Sequence, residues 1–264
     1  MPVRARLNSY QTVVAAVLLA QLFLVRWMVA CNPGLSNAAA TPMKSAPVVQ
    51  TVQSYLNRTF LTKHTTAQFD SSGGDLIVVC ASSHAGVTMV PSDSFNNIWT
   101  SAAGPTSTTG ALELRTQVWY AKRPTVGAGH TITLNLSSPQ SLVISVVVIK
   151  GSNSSAPIDA ISTIGDDGGS QTVHVASPSL TTTSDNDLLI GFAKSSVSEI
   201  WTPGAGYVAQ GAASSDYLDA EAGWAAKTGE YNATFYIGTF ATWQAVVVAV
   251  RPSVRGTAHG QARP

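Results

Sequence analysis

The strongest constraint on the fold of this chain is the period at which its apolar residues recur. From residue 48 onward they form short runs rich in Val, Ile, Tyr and Trp, separated by clusters of Gly, Pro, Asn, Asp and Ser. A period of two puts alternate side chains on opposite faces of a strand. The runs Val48–Tyr55, Asn97–Thr100, Leu114–Tyr120, Thr131–Leu136, Asp187–Phe192 and Ala233–Phe240 read as strands on this basis. Leu76–Cys80, which follows the turn signal Ser71-Ser72-Gly73-Gly74-Asp75, is apolar on both faces, as a central strand covered on both sides would be. Leu142–Ile149 and Ala245–Val250 are the strongest β-branched runs. Turn-rich segments at 151–157, 165–170 and 203–206 separate the later strands. After residue 50 no sustained stripe of period 3.6 occurs, and Ser215–Ala226 is the one weak helix candidate. Many short strands at this spacing predict an all-β body, an antiparallel β-sandwich of jelly-roll type, over residues 48–252.

The first residues address a membrane. Residues 1–11 carry Arg4 and Arg6 and no acid, and residues 12–31 are an apolar run of about the length that crosses the hydrocarbon core as a helix. In an intact signal anchor, Arg26 snorkels outward while Tyr10 and Trp27 sit at the interfaces. Two other readings stay open: a lipoprotein signal acylated at Cys31 behind Met28-Val29-Ala30, and a cleaved secretory signal ending near Ala30. All three leave the Arg-bearing end in the cytoplasm and the body in the periplasm or outside, and with the intact anchor as the leading reading the expected location is the inner membrane, single-pass. Residues 32–47 hold three prolines and small residues and read as a linker. Residues 253–264 form a tail with Arg255 and Arg263 and no acid.

Composition narrows the partners. Only 11% of residues are charged, against about 25% in an average soluble protein, and the net charge is +1, so no field gathers nucleic acid. Two cysteines are too few for a disulfide framework or a Cys-rich metal site. Cys80 lies in an aliphatic strand, where a buried small hydrophobe is the expected role.

Motifs that carry chemistry are sparse in this chain. No Gly-x-Ser-x-Gly elbow and no His-Glu-x-x-His pair is present, and the histidines at 64, 84, 130, 174 and 259 are scattered. A glycosidase needs two carboxylates about 5 to 10 Å apart, but Glu113, Glu199, Glu221 and Glu230 form no strand array. Asp166 and Asp167, and Asp185 and Asp187, could offer oxygens to calcium, yet Asp/Asn/Gly turns look the same without an ion. No cofactor is called for. Trp99, Trp119 and Trp243 sit in strand patterns and are expected in the core. Trp201 and Trp224 fall in loop-like stretches with Tyr207 and Tyr217, and these four, with Arg255 and Arg263 of the tail, are the candidate contact surface.

The stretches GGDLIVVCASS (73–83), VPSDSFNNIWTSAA (90–103), TQVWYAKRPTVGAGHTITL (116–134), SDNDLLIGFA (184–193) and WQAVVVAVRP (243–252) resemble a domain of bacterial secreted and surface-anchored proteins. An Asp-x-x-x-Asn-x-Trp turn, here Asp93, Asn97 and Trp99, carries much of the likeness. The resemblance implies a β-sandwich without an agreed activity. The chain departs from it at Ile149-Lys150-Gly151, where an acid would stand. The leading expectation is a non-enzymatic structural subunit that binds the bilayer and neighbouring subunits of a bacterial membrane complex, for example an energy-transducing or photosynthetic assembly. The alternatives are a surface carbohydrate-binding or adhesive module and a glycoside hydrolase.

Overall fold

The computed structural model describes residues 46–84, 86–108, 114–166, 171–210 and 216–254. The expected membrane segment with Arg4, Arg6, Tyr10, Arg26, Trp27 and Cys31 lies outside these residues, as do most of the linker, Asp167, Arg255 and Arg263. Among the described residues no helix is long and apolar enough to cross a membrane.

The body is all-β and antiparallel. Its first half contains β1 (Val48–Thr65), β2 (Leu76–His84), β3 (Met89–Asp93), β4 (Thr100–Ser107), β5 (Leu114–Lys122) and β6 (Ile132–Lys150). They form one sheet in the order β1-β6-β2-β5-β4, with β3 added to the early part of β6. The runs read separately as Thr131–Leu136 and Leu142–Ile149 are a single long strand. Around Pro139 its pairing with β1 slips, between the pairs Asn57↔Leu142 and Leu61↔Gln140. Beyond that slip the early part of β6, with β3 and the end of β1, forms a second layer. Ile132, Leu134 and Leu136 there pack with Ile77, Val79, Val146 and Val148 of the main sheet in one buried cluster.

The second half contains β7 (Ile158–Ile161), β8 (Gly165–Asp166), β9 (Thr172–Ala176), β10 (Leu180–Thr181), β11 (Asp187–Glu199), β12 (Thr202–Pro203), β13 (Tyr207–Gln210), β14 (Asp216–Ala225), β15 (Glu230–Tyr231), β16 (Thr234–Ala241) and β17 (Trp243–Val250). Its main sheet runs β7-β17-β11-β14-β13, and a smaller one runs β9-β16-β12.

These two halves are the same unit twice. The main-sheet order of the second half maps strand for strand onto β1-β6-β2-β5-β4, and β9, β16 and β12 stand where the end of β1, the early part of β6, and β3 stand in the first. The register agrees as well. Leu76 pairs with Lys122 and Ile149, and Leu188 with Trp224 and Val250. Pro91 opposes Leu134, and Pro203 opposes Phe235.

The main sheets of the two repeats pack face to face. Leu76, Val78, Cys80, Val147 and Ile149 from one share a buried cluster with the equivalent Leu188, Ile190, Phe192, Val248 and Val250 of the other. The opposite faces are also covered: Leu189, Val247 and Ala249 pack with Val175, Phe235 and Ile237 of the small sheet. Both central sheets are therefore dry on both sides. That accounts for β2 being buried from Leu76 to Ser83, and apolar from Leu76 to Ala81, and for the unbroken burial of β17. Each fully buried aliphatic side chain in these layers contributes about 1.5–3 kcal/mol.

Two local expectations are corrected. The weak helix candidate at 215–226 is the strand β14, whose Leu218, Ala220 and Ala222 line the inter-repeat core; the small Ala and Gly side chains blur its period of two. Asn97–Thr100 is not a half-buried strand. It is the exit of a turn held by Asp93, and β4 begins only at Thr100.

Candidate functional site

The residues expected at a contact surface separate in the fold. Trp201, read as a loop aromatic, is 5% exposed and packs edge-on to Phe235 with ring centroids 5.7 Å apart, so it belongs to the core under the small sheet. Tyr207 lies half-buried across Gly223, with its hydroxyl donating to the Asn232 carbonyl at 2.9 Å. Burial and the nearby Glu221 push its phenol up. Trp224 is 54% exposed and its Nε1 donates to the Pro47 carbonyl at 3.4 Å, beside the point where the chain enters the body. Tyr217 stands at the other end of β14, in the wall of a cavity.

The acids considered for calcium are engaged elsewhere. Asp185 binds the Lys227 ammonium and the Thr228 amide, at 3.0 and 2.9 Å. Asp187 is buried and interacts with Asp159, which takes the Thr183 and Ser184 amides and the Arg251 guanidinium. Burial pushes the Asp159 carboxyl up, but the hydrogen bonds from Asp187, Thr183 and Arg251 outweigh it and hold it well below the carboxylate range. Asp166 is exposed on β8. Among the described residues, no three His, Cys, Asp or Glu side chains are grouped as metal ligands.

Of the glutamates, Glu221 is fully buried: its carboxylate accepts from the Gly204 amide at 2.9 Å and the Thr234 amide at 3.1 Å. Gly191, its neighbour across the strand, provides the space, since a Cβ there would lie 2.9 Å from Glu221 Cγ. Burial pushes the Glu221 carboxyl up to about 7. Glu230 is exposed; Glu113 and the Glu199 side chain lie outside the described residues.

A Ser-His-Asp alignment appears that the sequence reading did not anticipate. Ser71 Oγ lies 2.8 Å from His130 Nδ1, and His130 Nε2 lies 3.7 Å from Asp93 Oδ1. Ser71 and His130 are fully buried, the imidazole stacks on Phe69, and Ser71 Oγ also donates to the Gly127 carbonyl at 3.2 Å and accepts from the Gly127 amide at 3.0 Å. No substrate can reach that hydroxyl, so the alignment ties a turn together. On its outer side, Asp93 holds the Trp99 indole, and a shallow groove of about 510 Å³ runs past Trp99, Asn96, Asn97 and Ser101.

The most built feature lies between the repeats. A cavity of about 210 Å³ is bounded by Leu56 and Arg58 of β1, Ser82 to His84 of β2, Leu142 of β6, Lys194 of β11 and Tyr217 of β14. Lys194 continues the inward row Leu188, Ile190, Phe192 and is 6% exposed. Its Nζ donates to the Ser195 carbonyl and sits 4.6 Å from the centre of the Tyr217 ring; the Arg58 guanidinium lies 5.3 Å from the same ring. Burial alone brings the Lys194 amine down to about 7. The signal was available in the sequence as a lysine in phase with an apolar face. Compared with protein-family models, curated proteins and solved structures, the chain matches none.

Proposed function

We propose that this protein is a non-enzymatic accessory subunit, tethered to the inner membrane by its N-terminal segment, whose duplicated sandwich binds neighbouring proteins on the outer side. The observation that carries this reading is the difference between the two repeats on their outer small layers. In the first repeat the paired outward positions of that layer are Lys63, Thr65, Val90, Ser92, Thr133 and Asn135, with Val90 exposed, and Phe60 and Leu61 are exposed farther back along β1. In the second, the position equivalent to Asn135 is Tyr236, 46% exposed, with His174 against its ring at 4.9 Å, and Phe240 lies farther along the same strand at 67% exposure. Ile200 is exposed just before β12. At one cross-strand pair the second copy carries His174 and Tyr236 where the first carries Lys63 and Asn135, and an exposed aromatic pair of this kind, with Phe240 along the same strand, suits a contact surface. In this reading the sandwich is of jelly-roll type. In each repeat, a sheet ordered as β1-β6-β2-β5 faces one made by the end of β1, the early part of β6, and β3, which is the path of two interlocked Greek keys. Purification from native membranes in mild detergent tests the proposal; a monodisperse monomer without stoichiometric partners contradicts it.

A second reading is a surface carbohydrate-binding module. It draws on the Trp99 groove, where an indole stands beside the exposed Asn96 amide and the Ser101 hydroxyl, a combination suited to a sugar ring. It predicts glycan-array signals that Trp99→Ala removes, and a blank array eliminates it.

A further inference from the structure

The cavity between the repeats has no part in the proposed contact surface, and its lining has a chemistry of its own. The Lys194 amine and the Arg58 guanidinium both lie against the ring of Tyr217, and no carboxylate is among the described residues that line the space. Neither cation forms an ion pair among the described residues. The Lys194 ammonium has three donors; one is spent on the Ser195 carbonyl. A buried cation without a counter-charge costs stability unless something compensates it.

The fold itself does not require the lysine. The duplicated architecture supplies the comparison, because the position equivalent to Lys194 in the first repeat is Ser82, a buried serine that accepts from Thr116 Oγ1 at 3.0 Å. A small neutral residue therefore suffices at this place in the unit. The remaining wall combines the aliphatic Leu56, Leu114, Leu142 and Val143 with the serines at 82, 83, 141 and 196, and the exposed Arg58 and His84 also line the space. At the ~30 Å³ a water molecule takes in the liquid, the space holds about seven heavy atoms.

We propose that this cavity is a binding site for a small organic carboxylate with a short apolar body. The carboxylate completes the charge of Lys194 and Arg58, and the alkyl chain lies on Leu56, Leu114 and Leu142. A bare inorganic anion leaves the leucines unfilled, and a neutral alcohol of the same length leaves the cations uncompensated.

The test is an NMR titration of the full-length chain with pentanoate, using pentanol and inorganic phosphate as probes of each half of the recognition. Saturable shifts with pentanoate are expected, with pentanol and phosphate at least about tenfold weaker. Lys194→Met, checked for an unchanged circular dichroism spectrum, should weaken pentanoate by about tenfold or more, and Arg58→Gln by a smaller factor. Arg58 is exposed, so its variant reports on the site even where Lys194→Met fails to fold. Absence of saturable shifts overturns the proposal, as does equal binding of pentanol or phosphate, or pentanoate affinity unchanged in both variants.

Discussion

The Trp99 indole Nε1 donates to Asp93 Oδ2 at 2.9 Å, while the other oxygen of the same carboxylate takes the amides of Phe95 and Asn97, at 2.8 and 3.2 Å, and faces His130. One carboxylate thus shapes the turn between β3 and β4 and joins it to the layer that covers the first repeat. Asp93→Ala leaves these donors unpaired and should destabilise the chain by about 2–4 kcal/mol in urea unfolding. Burial pushes this carboxyl up, but the His130 ring and the Asn97 and Phe95 amides outweigh it, so it lies below its ordinary value in the folded protein. Its contribution is complete above the unfolded carboxylate value and is lost as the pH falls through the folded one. Asp93→Asn should therefore flatten the acid limb of the stability curve, and an acid limb identical to wild type contradicts the assignment.

Glu221 acts with the opposite sign. Its folded carboxyl titrates at about 7, above the unfolded value, because burial penalises the ion. Stability from this group is complete below the unfolded value near pH 4.5 and falls as the pH rises towards 7. The wild type should lose on the order of 1–3 kcal/mol across that window relative to Glu221→Gln. Unfolding free energies of both chains at pH 5 and pH 8 measure the difference; parallel curves contradict it.

Lys194 gives a third pH signature. With its folded amine at about 7, below the unfolded value, stability is complete above about pH 10.5 and declines as the pH falls to 7. Lys194→Met should remove that slope and raise the melting temperature at pH 7. Destabilisation by this change would instead mark the lysine as a structural anchor through Ser195 and Tyr217.

The shared core predicts cooperative unfolding. Phe192 of the second repeat packs in the same cluster as Cys80 and Val147 of the first. Phe192→Ala should cost about 3–5 kcal/mol and shift one common transition for both repeats. Two separated transitions contradict a core that joins them.

Much of this architecture is legible in the sequence, and the limits have physical causes. Leu76–Cys80 and Ala245–Val250 identify themselves as two-sided central strands because no polar residue interrupts them. The duplication is not legible by eye. Equivalent positions preserve inward parity more than identity: Val78 answers to Ile190, Cys80 to Phe192 and Trp119 to Glu221. Trp201 misleads because turn-rich neighbours on either side suggest a loop, whereas Phe235 across the small sheet buries it. Lys194 and Arg58 come together at the Tyr217 ring only when β1 of one repeat packs against β14 of the other, a contact between residues far apart in the chain that local pattern does not encode.

The most direct test of the accessory-subunit proposal uses the duplication as its own control. A photo-reactive amino acid is placed at position 236 of the full-length chain in native membranes, and in a second chain at the equivalent position 135. Crosslinks are expected from position 236 to a discrete set of membrane proteins, and none to them from position 135. Equal patterns from both positions, or no crosslinked protein from position 236, contradict the proposal.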